Sequence, residues 1–164
     1  MEALKARASG TATLDCQASQ GTARSLSKTI EVSTNERTEL INLTSEVRSI
    51  VGESGVTDGY VQVSSMHTTA GLIINEWQDA LLADVKKMME GIVPREQYYR
   101  HNDPEFSDCD RHNADSHLRM IVFGHSLTIP VTKGEPVLGR WQSVILTEFD
   151  GPNQRKIFLQ VFGI

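Results

Sequence analysis

Cysteine is scarce: only Cys16 and Cys109 occur in 164 residues. Two thiols so far apart make neither a disulfide framework nor a CxxC site, and both are expected as reduced thiols of an intracellular protein. Cys109 also sits between Asp108 and Asp110, which disfavour its thiolate and argue against a nucleophilic role. Positive charge is in deficit too, with 16 Lys and Arg against 21 Asp and Glu and a formal net charge of −5. That balance, without any basic run, speaks against nucleic acid or an anionic membrane as a partner. No apolar stretch is long enough to span a bilayer, and no apolar h-region precedes residue 20, so a cytoplasmic location is expected. A P-loop, GxGxxG, GxSxG and HExxH are all missing, which removes the familiar signatures of NTPases, dinucleotide enzymes, α/β-hydrolases and zincins.

What is present suits one domain with a real core. Residues 1–23 are small, polar and unpatterned and read as a flexible arm, with the domain occupying residues 24–164. Leu26, Ile30 and Val32 share a parity, predicting a strand over residues 25–32. Ser33, Thr34 and Asn35 offer caps, Glu36 and Glu39 suit a helix N-terminus, and Leu40, Leu43, Val47, Ile50 and Val51 follow at helical spacing, with Gly52 and Gly55 ending the run. A strand is predicted over residues 60–66. In a second helix Leu81, Leu82, Val85, Met88, Met89 and Ile92 share one face and Pro94 stops it. A long polar loop over residues 95–113 precedes four predicted strands, at residues 117–123, 126–130, 141–149 and 156–162. The 141–149 strand is apolar or weakly polar on both parities, consistent with cover on both faces. Early helices and late strands predict an α+β fold, two main helices on a largely antiparallel, β-sandwich-like sheet core.

Chemistry concentrates around the histidines. His101, His112 and His117 lie close in sequence and His67 ends a strand elsewhere; imidazole serves equally as metal ligand and as acid or base. Asn113, Asp115 and His117 alternate where a strand is predicted to begin, which would put an amide, a carboxylate and an imidazole on one face. On spacing alone a plain strand start, with His117 facing solvent, remains open. His67, Thr68 and Thr69 run into Ala70 and Gly71, a junction whose amides and hydroxyls could hold an anion. Asn75 and Glu76 precede the second helix, where Glu76 could cap it or bind. Trp141 and Gln142 pair an aromatic with a polar handle, and Arg155 could clamp a phosphate or carboxylate.

Four blocks, HTTAGLIINE (67–76), RHNADSHL (111–118), SLTIPVTKGEPVLGRWQSV (126–144) and EFDGPNQRK (148–156), resemble in content, order and separation the YjbQ, or UPF0047, family, over roughly residue 26 to the C-terminus. The resemblance implies a β-sandwich-like α+β protein that assembles as a homotrimer. It also implies a transferase of the secondary thiamine-phosphate synthase type, joining pyrimidine and thiazole phosphate halves with loss of pyrophosphate. His67 matches the family's HTT histidine; Asn113 and His117 match the ends of its NAHAH or NADAH block, with Asp115 in the variable middle. Asn75, Glu76, Trp141, Gln142 and Arg155 match recurrent polar positions, while Asn153 stands where many members carry Arg.

Two readings follow. In the first, an enzyme acts on a small phosphorylated molecule: His67, Asn113, Asp115 and His117 are catalytic, and Thr68, Thr69, Asn75, Glu76, Trp141, Gln142 and Arg155 bind substrate. A divalent ion, Zn²⁺ or Mg²⁺, would be held by His67, His101 and His117. In the second, a trimer holds a metal or a small anion without chemistry.

Overall fold

Strand-period alternation carries the larger share of the core into two antiparallel sheets. A computed structural model describes residues 17–164; Cys16 and residues 1–16 of the expected arm lie outside the described residues. β1 (Arg24–Ser33), β3 (Asp58–Ser65), β5 (Ser126–Thr132), β6 (Glu135–Pro136) and β8 (Gln154–Gly163) form a five-stranded sheet in the order β1-β8-β3-β5-β6. The smaller sheet has three strands, β2 (Glu39–Asn42), β7 (Ser143–Glu148) and β4 (Ala70–Asn75), in the order β2-β7-β4. All strand pairs are antiparallel. The α+β, sandwich-like class is therefore as expected.

The inward parity of each strand supplies the core. Val61, Val63, Ile129, Leu159 and Val161 of the large sheet meet Leu72, Val144 and Leu146 of the small one, and α1 (Thr44–Ser54) adds Val47, Ile50 and Val51. Burying side chains of this size yields roughly 1.5–3 kcal/mol each. β7 is the central strand of the small sheet and is buried on both parities from Val144 to Glu148, as its composition indicated. A second cluster joins Met89 of α2 (Asp79–Ile92), Val93 and Phe149 to Met120 and Phe123 of α3 (Ala114–Phe123).

Several local expectations change. Ser33 to Asn35 do not cap a helix; β1 ends at Ser33, Leu40 belongs to β2, and α1 is opened by Asn42, whose Oδ1 accepts from Thr44 N–H at 2.9 Å. The helical run from Leu43 to Val51 is real, and Gly55 ends it in the left-handed conformation, with φ 65°. Residues 70–75 form the strand β4, which the small residues at its start had concealed. α2 is capped by Gln78, whose Oε1 accepts from Leu81 N–H at 2.8 Å, and not by Glu76. Its predicted apolar face is only half used: Val85 and Met89 are buried, whereas Met88 and Ile92 are exposed.

The largest correction is α3. Residues 117–123 are helical, not a strand. The inward face of this helix is Ala114, Asp115, Ser116 and Arg119, while Leu118, Ile121 and Val122 point outward. Polar groups inside need partners, and most have them: Ser116 Oγ–H donates to Phe149 O at 2.6 Å and Arg119 Nε donates to Val93 O at 3.1 Å, while Asp115 Oδ1 has no partner among the described residues. Hydrogen bonds across the fold hold this helix together with the contacts of Met120 and Phe123 in the second cluster. On it Asn113 and His117 are four residues apart and share a side, but Asp115 lies about 200° around from Asn113. The one-face reading of the three residues is thereby overturned.

Candidate functional site

The β7–β8 turn organises the site. Glu148 and Asp150 are carried inward at its start, at 0% and 3% exposure, and Arg155 returns beside them at 5%. Gly151 permits this path, because a Cβ there would stand 2.1 Å from the backbone oxygen of Glu36. Arg155 Nε and Nη2 form a fork onto the two oxygens of Glu148, and Nη2 also donates to Thr69 Oγ1 at 3.0 Å. Thr34 Oγ1 and the Asp150 N–H complete the shell of Glu148.

Asp150 holds the opposite wall. Its Oδ2 accepts from Arg111 Nε at 3.0 Å and from Asn113 Nδ2 at 2.8 Å. Asn113 precedes α3, and its carbonyl accepts the N–H groups of Ser116 and His117. Its side-chain oxygen in turn receives Cys109 Sγ at 3.5 Å. The result is an open, polar cleft of about 400 Å³, lined by Thr68, Thr69, His101, Cys109, Arg111, Asn113, His117, Asp150, Asn153 and Arg155. His101 and His117 meet edge to face with ring centres 5.1 Å apart.

The predicted site residues separate into three groups. Thr68, Thr69, Asn113, His117, Arg155 and His101 converge on this cleft, and His67 stands behind it against Arg155. Asp115 is fully buried, not in the cleft: its Oδ2 accepts from Arg95 Nε at 3.0 Å and lies 3.8 Å from Arg119 Nη2. Asn75, Glu76, Trp141 and Gln142 stand at the far end of the small sheet. Ala70 pairs with Glu148 and Asn75 with Ser143, so the two ends are about 17 Å apart at strand rise. There Trp141 is 62% exposed with Arg140 over its ring, and Gln142 Oε1 only accepts Gly139 N–H. Within this chain those four do not join the cleft.

The three-histidine metal set is not assembled either. Among the described residues no group of three or more His, Cys, Asp or Glu side chains is placed to hold a metal ion. His67 Nε2 accepts the Lys156 N–H at 2.7 Å, and its Nδ1 faces Arg155 Nη1 at 3.4 Å. One ring lone pair is thus occupied and the other nitrogen faces a cation. These residues do not fit a divalent ion.

Sequence reasoning missed Glu148, Asp150 and Arg111. The signal was available in the EFDGP and RHN blocks, as acidic residues entering a glycine-proline turn and a basic residue beside the Asn. Turn chemistry alone accounts for the acidic residues at the glycine-proline turn.

Two imidazoles have lowered pKa values. Burial depresses His67, with Arg155 adding to it, and burial depresses His117, with the neighbouring His101 adding to it. The ordinary value is about 6.5, so between that pH and the lower native values the unfolded chain binds protons that the native one refuses. Stability therefore rises with pH across that window and is lost as pH falls through it. Thermal melts from pH 8 to pH 5 should show this loss, reduced in His67→Gln relative to the parent chain. An identical pH profile in both would contradict the assignment.

Comparison with known proteins agrees with this architecture. The family model described as UPF0047 protein YjbQ-like matches residues 28–164. A UPF0047 protein of Methanothermobacter thermautotrophicus is 42% identical over 130 residues, covering 79% of this chain and 87% of that one. The UPF0047 protein YugU of Bacillus subtilis is 34% identical, covering 83% and 98%. Among solved structures, a YbjQ-like protein of unknown function from Sulfolobus solfataricus superposes with a TM-score of 0.81 at 29% identity, over 87% of this chain and 100% of that one. An uncharacterized conserved protein of Clostridium acetobutylicum gives 0.74 at 31% identity, over 82% and 98%. With its two antiparallel sheets and the turn-built cleft between β8 and α3, this chain belongs to the YjbQ-like UPF0047 family.

Proposed function

We propose that the cleft binds a small phosphorylated molecule and that the protein is a transferase of the thiamine-phosphate synthase type. The observation that carries this reading is the convergence of Thr68, Thr69, Arg111 and Arg155 with the His101–His117 pair on one open cleft. Hydroxyls and guanidinium edges are donors suited to phosphate oxygens. His117, neutral above its lowered pKa, can donate a ring N–H hydrogen bond to the departing pyrophosphate oxygen. In the reaction the thiazole nitrogen attacks the pyrimidine methylene carbon, the carbon–oxygen bond to pyrophosphate breaks, and pyrophosphate leaves. Here Asn113 is a positioning residue, tying the α3 N-terminus to Asp150.

A second reading, a non-catalytic anion-binding protein, draws on a specific feature. Arg155 and Arg111 are each already matched by a buried carboxylate, Glu148 and Asp150. Little uncompensated positive charge is left to stabilise departing pyrophosphate. Under either reading assembly as a homotrimer is proposed, supported by the outward apolar residues Leu118, Ile121 and Val122 of α3, since exposed apolar clusters mark interaction surfaces. A cytoplasmic location is likewise proposed; among the described residues no helix is long and apolar enough to cross a membrane.

The test is product formation from the pyrimidine diphosphate and thiazole phosphate by the purified protein, with His117→Ala alongside. Turnover is expected in the parent chain, with a loss of about 10²–10³-fold in the variant at unchanged melting temperature. Phosphate binding by calorimetry without product would favour the second reading, and full activity in His117→Ala would remove the imidazole from the mechanism.

A further inference from the structure

Two cavities meet at the His101–His117 pair. One is the polar cleft between β8 and α3. The other, of about 350 Å³, is lined by Tyr99, Arg100, His101, Ala114, His117 and Leu118. Both imidazoles belong to both walls, and their ring centres are 5.1 Å apart. The two chambers are therefore neighbours across a single pair of rings. Their linings differ in kind. The polar cleft presents Thr68, Thr69, Arg111 and Arg155, whereas the polar groups of the second chamber are engaged elsewhere. Tyr99 O–H donates to the Pro94 carbonyl at 2.7 Å and its oxygen accepts from Gln97 Nε2. The Tyr99 side chain is also packed on the cluster of Met89, Val93 and Phe149, which holds it in place. Arg100 sets its guanidinium over Phe106, 5.1 Å from the ring centre, and Phe106 is not part of the wall. What remains is a tyrosine ring, two imidazoles, Ala114 and Leu118, which is 41% exposed.

We infer that this chamber is a second subsite, taking an apolar ring of the molecule whose phosphate sits in the polar cleft. The inference deepens the phosphate reading above and rests on it. The ligand class it names is a phosphate monoester with an aryl or similarly flat apolar group close to the ester oxygen. Such a group would cover Leu118 and Tyr99 from water, and apolar burial is favourable in proportion to its area. A flat ring also suits Tyr99, His101 and His117, because aromatic groups favour offset and edge-on contacts. The imidazole pair then stands between the ring and the phosphate.

The experiment compares methyl, phenyl and benzyl phosphate, with inorganic phosphate as the anchor probe, by calorimetry on the full chain. The pH is set so that all three esters are dianions. At least one aryl ester is expected to bind at least about tenfold more tightly than methyl phosphate. Ala114→Leu adds bulk to the chamber and should bring the aryl-to-methyl ratio toward one. Leu118→Gln puts an amide in place of an apolar wall and should lower the ratio by about threefold or more. Reading the ratio cancels any general change in phosphate binding. Equal affinities for aryl and methyl esters in the parent chain overturn the inference while leaving the phosphate reading intact. That is also the result expected if a second copy, and not the ligand, covers Leu118. An aryl preference that persists in both variants overturns the assignment to this chamber. Failure of every probe, inorganic phosphate included, overturns the phosphate reading and the inference with it. Should Ala114→Leu not fold, Leu118→Gln, at an exposed position, decides.

Discussion

Glu148→Ala is expected to destabilise the fold by about 3–5 kcal/mol, read as a lower urea midpoint. The size follows from what the substitution leaves behind. Arg155 is 5% exposed and donates through Nε and Nη2 to Glu148, so removing the carboxylate strands a guanidinium in the interior. The Asp150 N–H and Thr34 Oγ1 lose their acceptor as well, and these groups fix the β7–β8 turn on which the cleft is built. Glu148→Gln, keeping the shape and one acceptor, should cost less. Replacing Glu148 and Arg155 together by Leu and Met should cost less than Glu148→Ala alone, because no unpaired charge then remains. A double variant as unstable as the sum of its singles would show that the pair is not coupled.

A second large effect is expected at Asp115. Its alternation with Asn113 and His117 suggested a catalytic carboxylate, but it is fully buried between Arg95 and Arg119. Arg119 is itself 2% exposed, bonded to Val93 O and paired with Glu90. Asp115→Ala leaves that cluster with surplus buried positive charge, and a loss of about 3–5 kcal/mol is expected by chemical denaturation. Because α3 carries His117 into the cleft, ligand binding should weaken in proportion to the unfolded fraction and recover at low temperature. A variant with unchanged denaturation midpoint but abolished turnover would return Asp115 to a direct chemical role.

The parts of the fold legible from residue order are those in which one apolar face meets the core. β1, β3, β5 and β8 alternate; Leu43, Val47, Ile50 and Val51 repeat at helical spacing; β7 is apolar enough on both parities to announce its central place. Where burial is polar the pattern misleads. α3 turns Ser116 and Arg119 inward and Leu118, Ile121 and Val122 outward, so a short run of β-branched and aromatic residues looks like a strand. Its partners, Phe149 O and Val93 O, lie more than 25 residues away, and no local signal could specify them.

The site divides along the same line. From the sequence alone came the residue types and the segments: His67, Thr68 and Thr69, the Asn113 and His117 block, and Arg155. Only the tertiary structure decided which of them share a cleft. It separated Asn75, Glu76, Trp141 and Gln142 by the length of the small sheet, drew Asp115 inside, and left the three expected metal ligands without a common site. It also recruited Glu148, Asp150 and Arg111, whose functional placement depends on distant partners. The physical reason is that a site on the sheet ends is assembled from turns and helix starts of different elements. Their spacing is set by strand register and by buried charge pairs, neither of which is written in the local order of residues.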